Sequence, residues 1–296
     1  MNRYFAQGRI TTEEVQTVLK KVSAKIRKNG CSAWRFTPRD NGGLRVTAQV
    51  DRSFLLLDAP IDNGQNCQSN TLPTLWKLLR LNSITPGEVK FAIDGSLRSI
   101  RLRSEIPLVE DKEILSNRVL DTCAGFKKAL ELYSRGADHG KRSVAYREPT
   151  GVDLPSLCVE AGWVSSSRSG LEIVRLDVPD DFYEATLGED EEWGLVASTP
   201  LATGSGWPVE CRVALGVLLL SVSGHMRMVR ASVKSTDQSG SALHFEAVMG
   251  ASPSGRELDY GLSALSVACR MFGKEVRALL DKNVARSYLE TRGWSA

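Results

Sequence analysis

Three histidines and six cysteines are the residues from which a metal site or a nucleophilic centre would have to be built. The cysteines stand singly, at Cys31, Cys67, Cys123, Cys158, Cys211 and Cys269, with no Cys-x-x-Cys spacing and no histidine near them in sequence. Zinc coordination needs clustered ligands, so this pattern argues against it and for free, mostly buried thiols. His225 and His244 fall in runs that read as paired strands and could approach each other, but two histidines without a carboxylate make a weak metal site. No Gly-x-Ser-x-Gly elbow accompanies a histidine and an aspartate, so a hydrolase triad has no anchor. Gly204-Ser205-Gly206 lacks the Lys-Ser/Thr ending of a phosphate loop, and the acidic run Glu189-Asp190-Glu191-Glu192 reads as a wet turn. The expectation is a protein that is not an enzyme, with no catalytic residue, no metal and no cofactor.

A binding surface is easier to find. Arg101 and Arg103 alternate with Ile100 and Leu102 at period two, so one face of a strand should be basic and wet, with Lys90 on its neighbour. Arg98 lies out of phase and joins that face only through a bulge. With Trp34, Phe36 and Trp76 in the same half, this surface could meet nucleic acid, where cations and stacking rings act together. The net charge of +3 hides an asymmetry: residues 1–147 hold 25 Lys and Arg against 15 Asp and Glu, or +10, leaving −7 for residues 148–296. The halves therefore differ in what they attract, or attract each other.

The elements that would position these residues occur twice. Val15, Val18, Leu19, Val22 and Ile26 make a helical stripe from a cap at Thr12 to a stop at Asn29-Gly30. Three strand-like runs follow, SAWRFTP, GLRVTAQV and SFLLLDAPI, with turns at Asp40-Asn41-Gly42-Gly43 and Asp51-Arg52. A polar loop over residues 62–70 leads to a helix with Leu75, Leu78 and Leu79 buried. A hairpin about Asp94-Gly95 and a long helix ending near Tyr133 complete the first copy. Residues 135–152 read as a linker, so the expected division is 1–136, a linker over 137–152, and 153–296. The second copy opens on a short helix, then shows three strands, a middle helix, a hairpin and a final helix from Arg256 to about Leu289, broken near Gly273 or Asp281.

The longest apolar stretch, Val213 to Val222, is too short to span a bilayer, and the N-terminal residues lack the apolar core of a secretory signal. A cytoplasmic, reducing compartment is the expectation, with no membrane partner.

This order, α-βββ-α-ββ-α, resembles the bacterial type III secretion chaperone fold, and more closely the YbjN-type sensory transduction regulators that share it. The likeness is carried by Leu78, Leu79, Leu81 and Asn82 before a turn, by Gly87, Val89, Lys90, Phe91 and Asp94-Gly95, and by Leu102, Arg103, Glu105 and Pro107-Leu108. In the second half Ser221 or Ser223 stands for the asparagine, and Asp237-Gln238-Ser239-Gly240 for the turn. The resemblance implies an α+β chain of two tandem copies closed as an intramolecular pseudo-dimer, hence a monomer in solution. It implies a non-enzymatic, chaperone-like or regulatory module that binds an extended segment of a partner protein. By that analogy a client groove is expected beside the first sheet, bordered by Leu44, Val46, Phe54 and Trp76, with Arg98, Arg101 and Arg103 favouring acidic clients. The bland reading makes the same apolar residues core. The runner-up function is a regulator that binds nucleic acid through the basic first half.

Overall fold

The computed structural model describes residues 10–39, 43–61, 71–93, 99–108, 112–135, 152–179, 181–190, 194–235, 240–250 and 253–293. The expected turns at Asp40-Asn41-Gly42 and Asp94-Gly95, the loop 62–70, Arg98 and most of the linker lie outside these residues.

Helix α1, Thr12–Val22, begins in a capping box set one residue earlier than expected. Thr11 Oγ1 accepts from Glu14 N at 3.2 Å, and Glu14 Oε2 accepts from Thr11 N at 2.8 Å. The helix does not run on to Asn29. At Ser23 the backbone turns extended (ψ 143°), and Ser23–Lys28 form strand β1. Ile26 satisfies both a helical and an alternating pattern, whereas Lys25 and Arg27 on one side with Ile26 on the other fit only a strand.

The first half continues with β2 (Ala33–Pro38), β3 (Val46–Asp51), β4 (Phe54–Pro60), α2 (Thr71–Asn82), β5 (Lys90–Ile93), β6 (Ile100–Pro107) and α3 (Lys112–Arg135). The second half holds α4 (Leu154–Ala161), β7 (Ser165–Arg168), β8 (Leu171–Leu176), β9 (Tyr183–Asp190), β10 (Gly194–Gly204), α5 (Val209–His225), β11 (Val229–Ser235), β12 (Ser241–Met249), α6 (Gly255–Ala278) and α7 (Lys282–Thr291). Each half forms one antiparallel sheet of six strands, ordered β1-β2-β3-β4-β6-β5 and β7-β8-β9-β10-β12-β11. The two orders match element for element. Each half has four strands, not three, before its middle helix: β1 lies within the expected first helix, and β7 (Ser-Ser-Ser-Arg) carries no apolar pattern to announce it. The first helix of the second half is shorter, 8 residues against 11. The long C-terminal helix breaks where Asp281 caps α7 through Asn283 N and Val284 N. His225 is the last residue of α5, not a strand residue, and its Nδ1 lies 2.7 Å from Ser221 O, so it does not pair with His244 on β12.

One continuous apolar core runs through both halves. Helix α5 lies at its centre, and Val213, Ala214, Leu215, Val217, Leu219 and Leu220 are all buried. A helix apolar all round must be covered all round; α5 meets β11 of its own half, α2 and β5 of the other, and α7. Two glycines allow that approach. A Cβ on Gly216 would stand 2.9 Å from Leu75 Cβ, and one on Gly224 would stand 2.6 Å from Ile93 O. Gly→Ala inside a helix ordinarily stabilises. Gly224→Ala should do the opposite, lowering stability by about 1–3 kcal/mol in urea unfolding, because backbone cannot yield as a side chain can.

Candidate functional site

Strands β5 and β11 end their sheets at the seam between the halves, and their free edges need partners. Side chains supply them. Asn82, the last residue of α2, accepts from Phe91 N at 2.6 Å and donates to Phe91 O at 3.2 Å. Its amide also donates to Ala231 O of β11 at 2.9 Å, across the seam. Ala231 N donates to Ser223 Oγ at 2.8 Å, and Ser223 donates back to Leu219 O at 3.1 Å. Ser223 is thus the counterpart of Asn82.

Buried charge reinforces this seam in a reciprocal way. Lys90 donates to Met226 O at 2.7 Å and Val229 O at 2.9 Å in the turn after α5, and pairs with Glu105 at 2.8 Å. Arg230 donates to Thr85 O at 2.9 Å and Gly87 O at 3.3 Å in the turn after α2, and pairs with Glu246 at 3.0 Å. Burial pushes the Lys90 ammonium below its ordinary range and the Glu105 carboxyl above its own, while each partner opposes the shift. Burial would also raise Glu246, but Lys234 and Arg230 hold it well below the usual carboxylate range. Arg118 of α3 pairs with Glu257 of α6, and Arg227 pairs with Asp51 while lying 5.1 Å over the Phe54 ring. The pocket left among Glu88, Lys90, Glu105, Met228, Arg230 and Val248 is too small for an organic ligand.

The expected basic strand is therefore spent within the molecule. Lys90 is 1% exposed. Arg103 pairs with Asp58 through two bonds of 2.7 and 2.9 Å and donates to Gly224 O, so it is not on a wet face. Arg101 is half-buried beside Ser99. Val46 and Trp76 are buried, Leu44 and Phe54 half-buried. These four do not line one groove. Val46 shares the helix-covered face with Leu55 and Leu57, while Phe54 lies on the opposite face against Tyr260, and Trp76 packs edge-on against Trp207 of the other half. Trp34 and Phe36 are buried under the helices and present no stacking surface.

Exposed cations lie at the other end of the same sheet. The register sets Arg27 opposite Arg35, Arg35 opposite Thr47, Thr47 opposite Asp58, Asp58 opposite Arg103 and Arg103 opposite Lys90. This row crosses all six strands on the face opposite Val46, Leu55 and Leu57, and at its inner end meets helix α5 through Arg103. Lys25, Arg27, Arg35 and, just before β3, Arg45 are exposed. The alternation Lys25-x-Arg27 and Arg35-x-Thr37 was the sequence signal for this face, hidden while β1 read as helix.

The second half holds a different cluster. His244 Nδ1 lies 3.0 Å from Ser198 Oγ, which Lys234 approaches at 3.4 Å while pairing with Glu246 at 2.6 Å. Ser198 is 3% exposed. Among the described residues, no three His, Cys, Asp or Glu side chains gather as metal ligands would, and no helix is long and apolar enough to cross a membrane. Burial pushes the Cys123 and Cys269 thiols up to about 12, so they are poor nucleophiles. No protein-family model matches the chain, and no curated protein matches it in sequence.

Asn82→Ala should cost about 3 kcal/mol in denaturant unfolding, since it strips bonds from three buried backbone groups at once. Ser223→Ala should cost less. For His244, burial first and the Lys234 ammonium second lower the pKa from 6.5 to about 4. Between those values the unfolded chain binds a proton that the folded chain refuses, so stability falls as pH drops from 6.5 to 4. His244→Gln should remove that component, worth up to about 3 kcal/mol. The check is the difference between the two pH–stability curves, because burial raises the Glu105 carboxyl and gives it a contribution of opposite sign.

Proposed function

We propose that the chain is a non-enzymatic protein-binding module, chaperone-like or regulatory, that takes up an extended segment of a partner protein. In this reading its halves are two tandem copies of a type III secretion chaperone-like domain, similar to the YbjN-type regulators, closed on each other as an intramolecular pseudo-dimer. One observation carries the reading. Both inner sheet edges are sealed by the side chains of the seam, while the outer edges, β1 and β7, carry no further strand among the described residues. A sheet that closes one edge and leaves the other open is built to accept a strand from elsewhere. The buried, ion-paired charges of the seam and the buried Ser198 also support a binding role over a catalytic one.

A nucleic-acid regulator remains the competing reading, favoured by the exposed cations of β1 and β2 and opposed by the burial of Trp34 and Phe36 in the same half. The immobilised chain, offered native lysate treated with nuclease, should retain a specific protein in stoichiometric amount. Retention of no protein, together with salt-sensitive retention of nucleic acid from an untreated lysate, would overturn the reading.

A further inference from the structure

We infer that the outer edge of the first sheet, strand β1 with the face of β2 behind it, is the docking site for a partner segment in which acidic and apolar residues alternate. This inference rests on the protein-binding reading and names the chemistry of the partner.

One arrangement at this corner of the sheet costs stability. Arg27 and Arg35 sit directly opposite each other on adjacent antiparallel strands. Like charges so placed are destabilising. Lys25 is two residues along on the same side of β1, and Arg45 flanks the same corner of the sheet. No ion pair joins any of these four cations to an acid among the described residues, whereas the inner cations of the same face, Lys90 and Arg103, both have carboxylates. Lysines on an edge strand commonly serve to repel other strands. That explanation reaches Lys25 but not Arg35, which lies one strand in from the edge.

The second half supplies an internal comparison. At the corresponding corner, Arg168 of β7 pairs with Glu184 of β9 at 3.4 Å, and Arg175 of β8 lies 5.0 Å over the Phe182 ring. Arg168 thus meets a carboxylate and stands opposite Leu171, where the first sheet sets two arginines opposite each other.

The geometry sets what would fit. A strand added beside β1 would lie ~4.8 Å from it, with alternate side chains on each face. Side chains on the open face would stand beside Lys25 and Arg27 and within reach of Arg35, so acids belong there. The residues between them would point to the helix side, beside Ile26, which is half-buried and packed on the core. An apolar side chain there would extend the core by one strand. The resulting pattern is acid, apolar, acid, in extended conformation. A nucleic-acid strand would use the cations but would find Trp34 and Phe36 buried and have no use for the free backbone edge.

The test uses the full chain and a fluorescent peptide of alternating glutamate and valine, read by anisotropy. Controls are a peptide of the same composition with glutamates and valines in separate blocks, and a single-stranded oligonucleotide. The alternating peptide should bind best, weaken with salt, and slow amide exchange over residues 23–28. The double variant Arg27→Glu/Arg35→Glu should lose roughly tenfold or more in affinity. Its melting temperature should stay close to that of the wild type, since one like-charge pair replaces another at the same register position. Equal binding by the blocked peptide, or unchanged affinity in the double variant, would overturn the inference. Tighter, Arg27/Arg35-dependent binding of the oligonucleotide would overturn it in favour of a nucleic-acid face. If the double variant still retains the lysate partner in full, the protein-binding reading stands and this site is wrong. If neither form retains a protein, both fail.

Discussion

The fold depends on satisfying two sheet edges that face each other without a strand between them. Asn82 does most of this with one amide, which completes Phe91 and reaches Ala231 in the other half. A buried peptide group left without a partner costs more than an ordinary hydrogen bond returns. The close approach that puts Asn82 within reach of β11 in turn requires the bare helix surface at Gly216 and Gly224. The all-round apolar α5 then has somewhere to go. Core, seam and edge closure are one problem with one solution.

The buried cations of the seam serve register more than stability. Lys90 and Arg230 each carry a carboxylate from their own sheet and donate to carbonyls of the opposite half. Burying such groups returns little net energy against an apolar alternative, but a misaligned seam would leave a charge unpaired, which costs several kcal/mol. The halves are thereby held to one alignment where a purely apolar contact would tolerate slippage.

Much of this was legible in the sequence. The repeated order of helix, hairpin and long helix is present in both halves, the break at Asp281 falls at a capping residue, and the run ending in Asn82 has its counterpart at Ser223. What was hidden had a physical cause in each case. Strand β1 was masked because Ile26 continues the stripe of Val15, Val18, Leu19 and Val22, and only pairing with β2 decides between the periods. Lys90 and Arg103 looked wet because alternation reports which face a residue takes, not whether another part of the chain covers that face. His225 sits where α5 extends past the apolar run, so its helical state depends on packing and not on local pattern. Lys25, Arg27 and Arg35 became a surface only once β1 was a strand.

Residues Asn82 and Ser223 play matched parts with different side chains, and so do Lys90 and Arg230. That inequality is open to a protein whose two halves are joined covalently and closed to one assembled from identical subunits, where every substitution is copied to both sides. Joining them also makes their association independent of concentration, since dilution cannot part them. Each half is then free to drift from the other so long as the seam holds. One copy can set two arginines opposite each other at its corner while the other gives its arginine a carboxylate. A molecule of this kind has one distinguishable end, and so a direction that a symmetric dimer lacks.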